Sequence, residues 1–204
     1  NAFGFLTLGG TLTLPAGSTL AFDLTGGNPS DPSFNDALAV AGMVTLNNTT
    51  VRLNLQGVAQ VGDVYTIMTH GGIASGSFNP VLTGTHFAAT LDATTSPGYV
   101  LVTINGTTGY NLKWNSTSSG VWDANAINWL NLANSQPAVF YAGDTARFDD
   151  TPGVVTDIVI EPGVTVTAAG ITNKSAVNNF TIGGGGRITG STGIRKEGAS
   201  TLTL

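Results

Sequence analysis

Short runs of alternating apolar and small polar residues, each broken by a turn, constrain the fold of this chain more than any other feature. Leu20, Phe22 and Leu24 alternate with smaller or polar residues, and the same period of two recurs at Leu53 and Leu55. Residues two apart on an extended chain share one face of a sheet. Turn-forming sequences rich in Gly and Pro interrupt these runs at residues 9–10, 15–17, 26–29 and 30–32. The pattern therefore predicts many short β-strands.

Composition supports the strands and argues against two kinds of partner. Threonine and glycine are the two commonest residues, and only 9% of the residues are charged. Threonine favours strands through its branched β-carbon, and glycine supplies the positive φ angles of tight turns. The net charge is −5 and the 7 basic residues are scattered in sequence, so we expect no nucleic-acid partner. No apolar run approaches the length of a membrane helix, so we expect no membrane insertion of this segment.

Degenerate sequence repeats favour a β-solenoid over the other all-β architectures. Gly-Gly-Thr-Leu-Thr-Leu at residues 9–14 returns as Ala-Ser-Thr-Leu-Thr-Leu at residues 199–204. Pro-Ala-Gly-Ser-Thr-Leu at residues 15–20 has a counterpart in Glu-Pro-Gly-Val-Thr-Val at residues 161–166. Units of one type, about 20 residues long, indicate a β-solenoid whose coils stack on one core. A sandwich or a barrel is the alternative that strand spacing alone leaves open.

A change in composition near residues 105–113 predicts a boundary between two modules. Turn formers fill residues 105–109, and all three tryptophans follow them. We expect residues 1–106 to be the C-terminal part of one β-solenoid module. Residues 107–204 would then start a second module, which opens with the tryptophan-rich segment. Within that segment residues 121–133 have apolar spacing that a helix would also produce, although their Asn and Asp content disfavours one.

Two sets of motifs occur in a fixed order along the chain. The second half contains Leu-Lys-Trp-Asn at 112–115, Gly-Val-Trp-Asp at 120–123, Asn-Trp-Leu at 128–130, Ala-Gly-Asp-Thr-Ala-Arg-Phe-Asp-Asp at 142–150, Ile-Gly-Gly-Gly-Gly-Arg at 182–187 and Ile-Arg-Lys-Glu-Gly at 194–198. The first half contains Pro-Ala-Gly-Ser-Thr-Leu-Ala-Phe-Asp-Leu at 15–24, Asp-Ala-Leu-Ala-Val-Ala-Gly at 36–42, Gly-Asp-Val-Tyr-Thr-Ile-Met at 62–68 and Ile-Ala-Ser-Gly-Ser-Phe at 73–78. In this order they resemble the opening and the end of modules in bacterial autotransporter-associated β-strand repeat proteins.

The resemblance implies a fold, a location and a role. It implies a right-handed parallel β-helix that is secreted and is displayed or released at the bacterial cell surface. It brings no catalytic residues, so the expected role is structural: a passenger segment, an adhesin stalk or an extracellular fibre. The expected partners are neighbouring modules or copies of the chain, stacked end to end, and filaments would result from stacking between copies. The alternative is a carbohydrate- or host-surface-binding β-helix module.

Three tryptophans are the candidate ligand-binding residues. Trp114, Trp122 and Trp129 would bind a sugar by stacking if their rings lay on an open face. Their spacings of about one strand and turn also suit successive strands of one packed layer. We favour the second interpretation, in which the rings form the first core of the new module.

A cluster of ionic residues is the other candidate site. Asp149 and Asp150 are candidate calcium ligands, because calcium prefers carboxylate and carbonyl oxygens. Arg147 next to these acids would suit a polysaccharide lyase or glycosidase, although Arg147 and Asp149 also have the spacing of a surface ion pair. His70 and His86 lack metal-ligand spacing, so zinc is not expected. We expect no enzymatic activity and no cofactor, with calcium kept as a hypothesis.

Overall fold

The computed structural model of the chain is all-β, which confirms the predicted class. It describes residues 4–26, 29, 31, 33–56, 59–73, 81–190 and 193–204, so most of the motif at residues 73–78 lies outside the described residues. Helices are absent from these described residues, and so are helical segments able to cross a membrane. Residues 121–133 form bends, an isolated bridge and a short strand, so the helical alternative for this segment is wrong. The chain divides into two compact units, Asn1–Thr107 and Thr108–Leu204.

The strands are short, as the frequent turn sequences predict. The first unit contains β1 (Phe5–Leu8), β2 (Leu12–Leu14), β3 (Thr19–Thr25), β4 (Ala37–Leu46), β5 (Thr50–Gln56), β6 (Val64–Ile73), β7 (Val81–Thr83), β8 (Ala88–Asp92) and β9 (Tyr99–Gly106). The second unit contains β10 (Asn111–Trp114), β11 (Trp129–Asn131), β12 (Pro137–Ala138), β13 (Thr145–Phe148), β14 (Asp157–Val159), β15 (Thr165–Thr167), β16 (Gly170–Asn173), β17 (Phe180–Gly183), β18 (Arg187–Thr189), β19 (Ile194–Lys196) and β20 (Leu202–Thr203). The interpretation of the two units as the end of one module and the start of another stays a prediction.

In the first unit most strands pair in parallel with a strand two or three places later in the chain. One sheet has the order β1-β4-β6-β9-β8, with β2 also paired to β4, and the other has the order β3-β5-β7. Thr19 lies in register with Thr50 in the second of these sheets, and Leu38 lies in register with Met68 in the first. Strand β9 is antiparallel to both β6 and β8, so antiparallel pairing replaces the parallel order on that side of the sheet.

In the second unit the parallel pairing has a period of three strands. One sheet has the order β12-β11-β10-β13-β16-β19, a second the order β14-β17-β20, and a third pairs β15 with β18. Thr145 lies in register with Gly170 in the first of these sheets, and Asp157 lies in register with Thr181 in the second. The pairs β10–β11 and β11–β12 are antiparallel, so the first sheet also has antiparallel strands on one side.

Buried side chains of paired strands stack on one another in the core of the first unit. Phe22 lies in register with Leu53 and Leu24 with Leu55, and all four are almost fully buried. The residues between these four are only partly buried, which confirms the predicted period of two in β3 and β5. Strands β9, β10 and β13 show the same alternation. The alternation places the intervening side chains on the outer face of each sheet. That outer face positions the ionic residues described next.

Candidate functional site

The three tryptophans form the centre of the second unit's core. Trp114, Trp122 and Trp129 are each at most 1% exposed. Their ring centroids lie 5.0 Å apart for Trp114 and Trp129 and 5.1 Å apart for Trp122 and Trp129. Phe140 packs against Trp122 with a centroid distance of 5.1 Å, and Phe148 packs against Trp129 with a centroid distance of 5.6 Å. A sugar ring could stack on these indoles only if the core opened, so the described geometry does not provide a ready aromatic platform.

Local pairing explains how the rings meet. Trp114 on β10 lies directly opposite Trp129 on the antiparallel strand β11. Trp122 is held beside them because its backbone N–H donates to the carbonyl of Val159, 2.9 Å away. The Trp114 indole N–H donates to the carbonyl of Val155 at 2.8 Å. The spacing of the tryptophans predicted that they pack in one layer. It did not predict that β11 pairs antiparallel to β10, because no short sequence pattern indicates that pairing.

Arg147 and Asp149, two of the three predicted ionic candidates, form an ion pair on the outer face of the second unit. The Arg147 Nη2 lies 3.0 Å from the Asp149 Oδ2, and Asp149 Oδ1 also accepts a hydrogen bond from the backbone N–H of Thr151 at 3.1 Å. These two residues, together with Asp150, Thr151 and Lys174, line an open pocket. The structure thus brings Arg147, Asp149 and Asp150 together, as the sequence suggested.

The Asp150 carboxylate is occupied by donors from one distant loop. Its Oδ1 accepts hydrogen bonds from the Ser175 hydroxyl and from the backbone N–H groups of Val177 and Asn178, at 2.9 and 3.0 Å for the last two. Its Oδ2 accepts from the backbone N–H of Ala176 at 2.9 Å. The Ser175 hydroxyl first, and then these N–H groups, hold the pKa of Asp150 well below its usual range. Asp150 therefore acts as a fixed negative charge that clamps the loop.

These contacts bear on the proposed chemistry of the site. A general acid must hold a proton near the working pH, and the shift in the pKa of Asp150 is in the opposite direction. Asp149 is engaged by Arg147 and by Thr151. Within the part of the chain that the structure describes, no group of three or more His, Cys, Asp or Glu side chains is arranged to hold a metal ion. The calcium hypothesis for Asp149 and Asp150 stays a prediction.

The histidines lie in the first unit, away from this cluster in sequence. His70 is on β6, in register with Val40. Neither ring nitrogen of His70 has a hydrogen-bond partner among the described residues, and both are shielded from solvent. His86 lies in the segment between β7 and β8.

Strand register creates one feature that sequence reasoning missed. Lys113 on β10 pairs with Arg147 on β13, Arg147 pairs with Thr172 on β16, and Thr172 pairs with Arg195 on β19. These residues alternate with buried neighbours in β10, β13 and β16, so they point outward. Lys174 follows the end of β16 by one residue. We call this surface the charged face, and it comprises Lys113, Arg147, Asp149, Thr172, Lys174, Arg195 and Glu197.

Comparison with known proteins identified no relative of this chain. No protein-family model, no curated protein and no solved structure matches the chain. The function is therefore inferred from the residues and their arrangement.

Proposed function

We propose that this chain is a structural segment of a long exported bacterial surface protein, folded as a right-handed parallel β-helix. Passenger segments, adhesin stalks and extracellular fibres are the roles that such a segment serves. The observation that carries the proposal is the pairing order of the second unit. There each strand from β13 to β17 pairs in parallel with the strand three places later. A chain that coils with three strands per turn produces this order.

The register of the paired strands gives a coil length for the proposed helix, and a general rule on connections supports its hand. In the second unit the partners Thr145 and Gly170, and likewise Thr165 and Arg187, are separated by somewhat more than the predicted coil length of about 20 residues. Coils in the first unit would be longer still, because the partners Thr19 and Thr50 are separated by 31 residues (50 − 19) and Leu38 and Met68 by 30 (68 − 38). Connections between parallel strands of one sheet are right-handed in nearly all proteins. This rule supports the right-handed form.

Sheet edges support the proposed end-to-end partners. Among the described strands, β1 and β19 each lie last in the order of their sheet, so each offers backbone groups on one side. Large apolar side chains are exposed at both edges, with Phe5 62%, Leu6 59% and Ile194 39% exposed. An open parallel edge is a template for a further strand. A neighbouring module or a second copy of the chain would pair there.

The location rests on sequence resemblance and composition. The ordered motifs described above resemble bacterial autotransporter-associated β-strand repeat proteins, which are exported. The low proportion of charged residues and the abundance of Thr and Gly agree with such a repeat. The alternative role, a carbohydrate- or host-surface-binding module, is favoured by one observation, the charged face.

A single variant at the open edge tests end-to-end pairing. We expect the chain to form elongated assemblies as its concentration rises, visible by negative-stain electron microscopy and by light scattering after size exclusion. Ile194→Lys should reduce these assemblies several-fold, because a charge on an edge strand opposes pairing with a further strand.

Val177→Lys is the matched control, since Val177 is 76% exposed and lies in a loop outside the strands. It makes the same chemical change and should leave assembly unaltered. A wild-type chain that stays monomeric at every concentration would contradict pairing between copies. Equal loss of assembly in both variants would show that the edge is not the contact.

A further inference from the structure

The row of cations on the charged face is produced by register and is invisible in the sequence. Lys113, Arg147 and Arg195 are far apart in the chain, yet they occupy one row across four adjacent strands. Neighbouring strands lie about 4.8 Å apart, so the row from β10 to β19 is about 14 Å long. It runs across the strands, along the direction in which they stack.

The cations exceed the acids that neutralise them. Arg195 pairs with Glu197 at 2.8 Å, and Lys174 lies 3.8 Å from the same carboxylate. Arg147 pairs with Asp149. The Lys113 side chain has no ionic or hydrogen-bonding partner in the described part of the chain. Four cations thus face the two carboxylates that pair with them. The third carboxylate nearby, that of Asp150, lies in the pocket beside Arg147 and Lys174 and is held by the hydroxyl of Ser175 and the backbone of residues 176–178. Cations therefore outnumber acids on this face, although the whole chain carries a net charge of −5.

The paired cations of the charged face remain accessible to an anion from solvent. The side chains of Arg147, Lys174 and Arg195 are 41%, 57% and 76% exposed. A guanidinium has five N–H donors, of which one ion pair uses only some. Solvent-exposed pairs of this kind are weak, so an arriving anion can compete for them.

The mixture of charges indicates which polymer fits. The free Lys113 and the exposed guanidinium groups suit carboxylates, which arginine binds with matched geometry. Asp149, Glu197 and the Thr172 hydroxyl can accept hydrogen bonds from sugar hydroxyl groups. A nucleic acid would bring a continuous line of phosphates against those two carboxylates and against a chain of negative net charge. An acidic sugar polymer meets both kinds of group.

We propose that the charged face binds a linear carboxylated polysaccharide lying along the stacking direction of β10, β13, β16 and β19. The proposal depends on the register of one sheet and not on export or on end-to-end assembly. Its failure would therefore leave the structural role untouched. It also assigns carbohydrate binding to this outer face and not to the buried tryptophans.

The test measures binding of the 204-residue chain to polygalacturonate at low ionic strength by isothermal titration calorimetry. Lys113→Gln and Arg195→Gln, at the two ends of the row, should each weaken binding about two- to fivefold, as expected for an exposed ionic contact. The double variant should weaken it about tenfold. Binding of the wild-type chain should also fall as salt is raised, because salt screens exposed charges.

Arg187→Gln is the control, since Arg187 lies on β18 of another sheet in the same unit and loses the same charge. It should bind polygalacturonate like the wild-type chain. Circular dichroism checks that every variant is folded. Neutral dextran should not bind, and single-stranded DNA should bind more weakly than polygalacturonate. Absence of wild-type binding, an equal loss in Arg187→Gln, or equal binding of dextran or DNA would each overturn the proposal.

Discussion

Aspartate carboxylates in this chain hold together backbone segments that are distant in sequence. Asp144 is fully buried and accepts hydrogen bonds from the backbone N–H groups of Tyr110 at 2.7 Å and Tyr141 at 2.8 Å. Asp36 accepts from the N–H groups of Gly4 and Asp23 at 2.6 and 2.8 Å. Each carboxylate thus supplies an acceptor to backbone N–H groups from two different segments, and backbone N–H groups away from water need such acceptors. Asp150 has the same role toward the backbone of residues 176–178.

Replacing the Asp150 carboxylate should loosen the loop that it holds. Asp150→Asn replaces one acceptor oxygen with an N–H₂ group, which faces backbone N–H groups that cannot accept a hydrogen bond. We expect amide hydrogen-exchange protection to fall at Ala176, Val177 and Asn178 and to persist in β13 and β16. Asp157→Asn is the control, because Asp157 is exposed on β14. Unchanged protection at the three amides in Asp150→Asn would contradict the clamp.

Acid should release the same loop. The pKa of Asp150 is depressed in the folded chain, so its stabilising effect is present above the unfolded-state value and is lost as the pH falls. The pKa of Asp92, lowered to about 2 by the backbone N–H groups of Thr95 and Thr94, implies the same direction for its turn. Protection factors at residues 176–178 should therefore decline progressively below about pH 4. A decline in protection at these residues as the pH is raised would contradict the prediction.

At the scale of the strand and turn, the glycine run after β17 shows how tightly successive turns stack. Gly184 has a φ of +110°, and a β-carbon there would lie 2.2 Å from the carbonyl oxygen of Ile160. Gly184→Ala should destabilise the second unit by about 1–3 kcal/mol or more, since a positive φ and a backbone clash act together. Urea unfolding followed by tryptophan fluorescence measures this loss.

The neighbouring glycine is a built-in control. Gly183 is exposed, a β-carbon added there would have nothing within 4 Å, and its φ lies outside the left-handed region. Gly183→Ala should change the free energy of unfolding by less than about 0.5 kcal/mol. Equal losses in the two variants would mean that the close approach of Gly184 to Ile160 is not what constrains the turn.

Sequence periodicity predicts where strands occur but not which strands pair with one another. Alternation of residues such as Leu20, Phe22 and Leu24 is local, and it predicts which side chains face the core. Register between strands that are distant in the chain depends on the length and path of every intervening turn. The row from Lys113 to Arg195 and the antiparallel strands next to β10 arise only from that register. The ionic cluster from Arg147 to Asp150, in contrast, is contiguous in the chain and is therefore visible in the sequence.

For the whole molecule, the distribution of tryptophan makes the two units experimentally separable. All 3 tryptophans lie in the second unit, and every member of the core cluster around them falls between Leu112 and Ile182. Tryptophan fluorescence therefore reports on the unit Thr108–Leu204 alone, whereas far-ultraviolet circular dichroism reports on the strands of both units. Because every residue of this core cluster belongs to one unit, the cluster can form without side chains of the other unit.

The second unit should fold without residues 1–107. Residues 108–204 expressed alone should fold and show the blue-shifted emission of buried indoles, because that unit contains the whole tryptophan cluster and is of ordinary domain size. Urea should shift the emission to the red in a cooperative transition. The full chain, native and in concentrated urea, supplies the reference spectra. Red-shifted emission from the isolated unit in buffer would contradict the assignment, since the indoles would then require residues 1–107 for their burial.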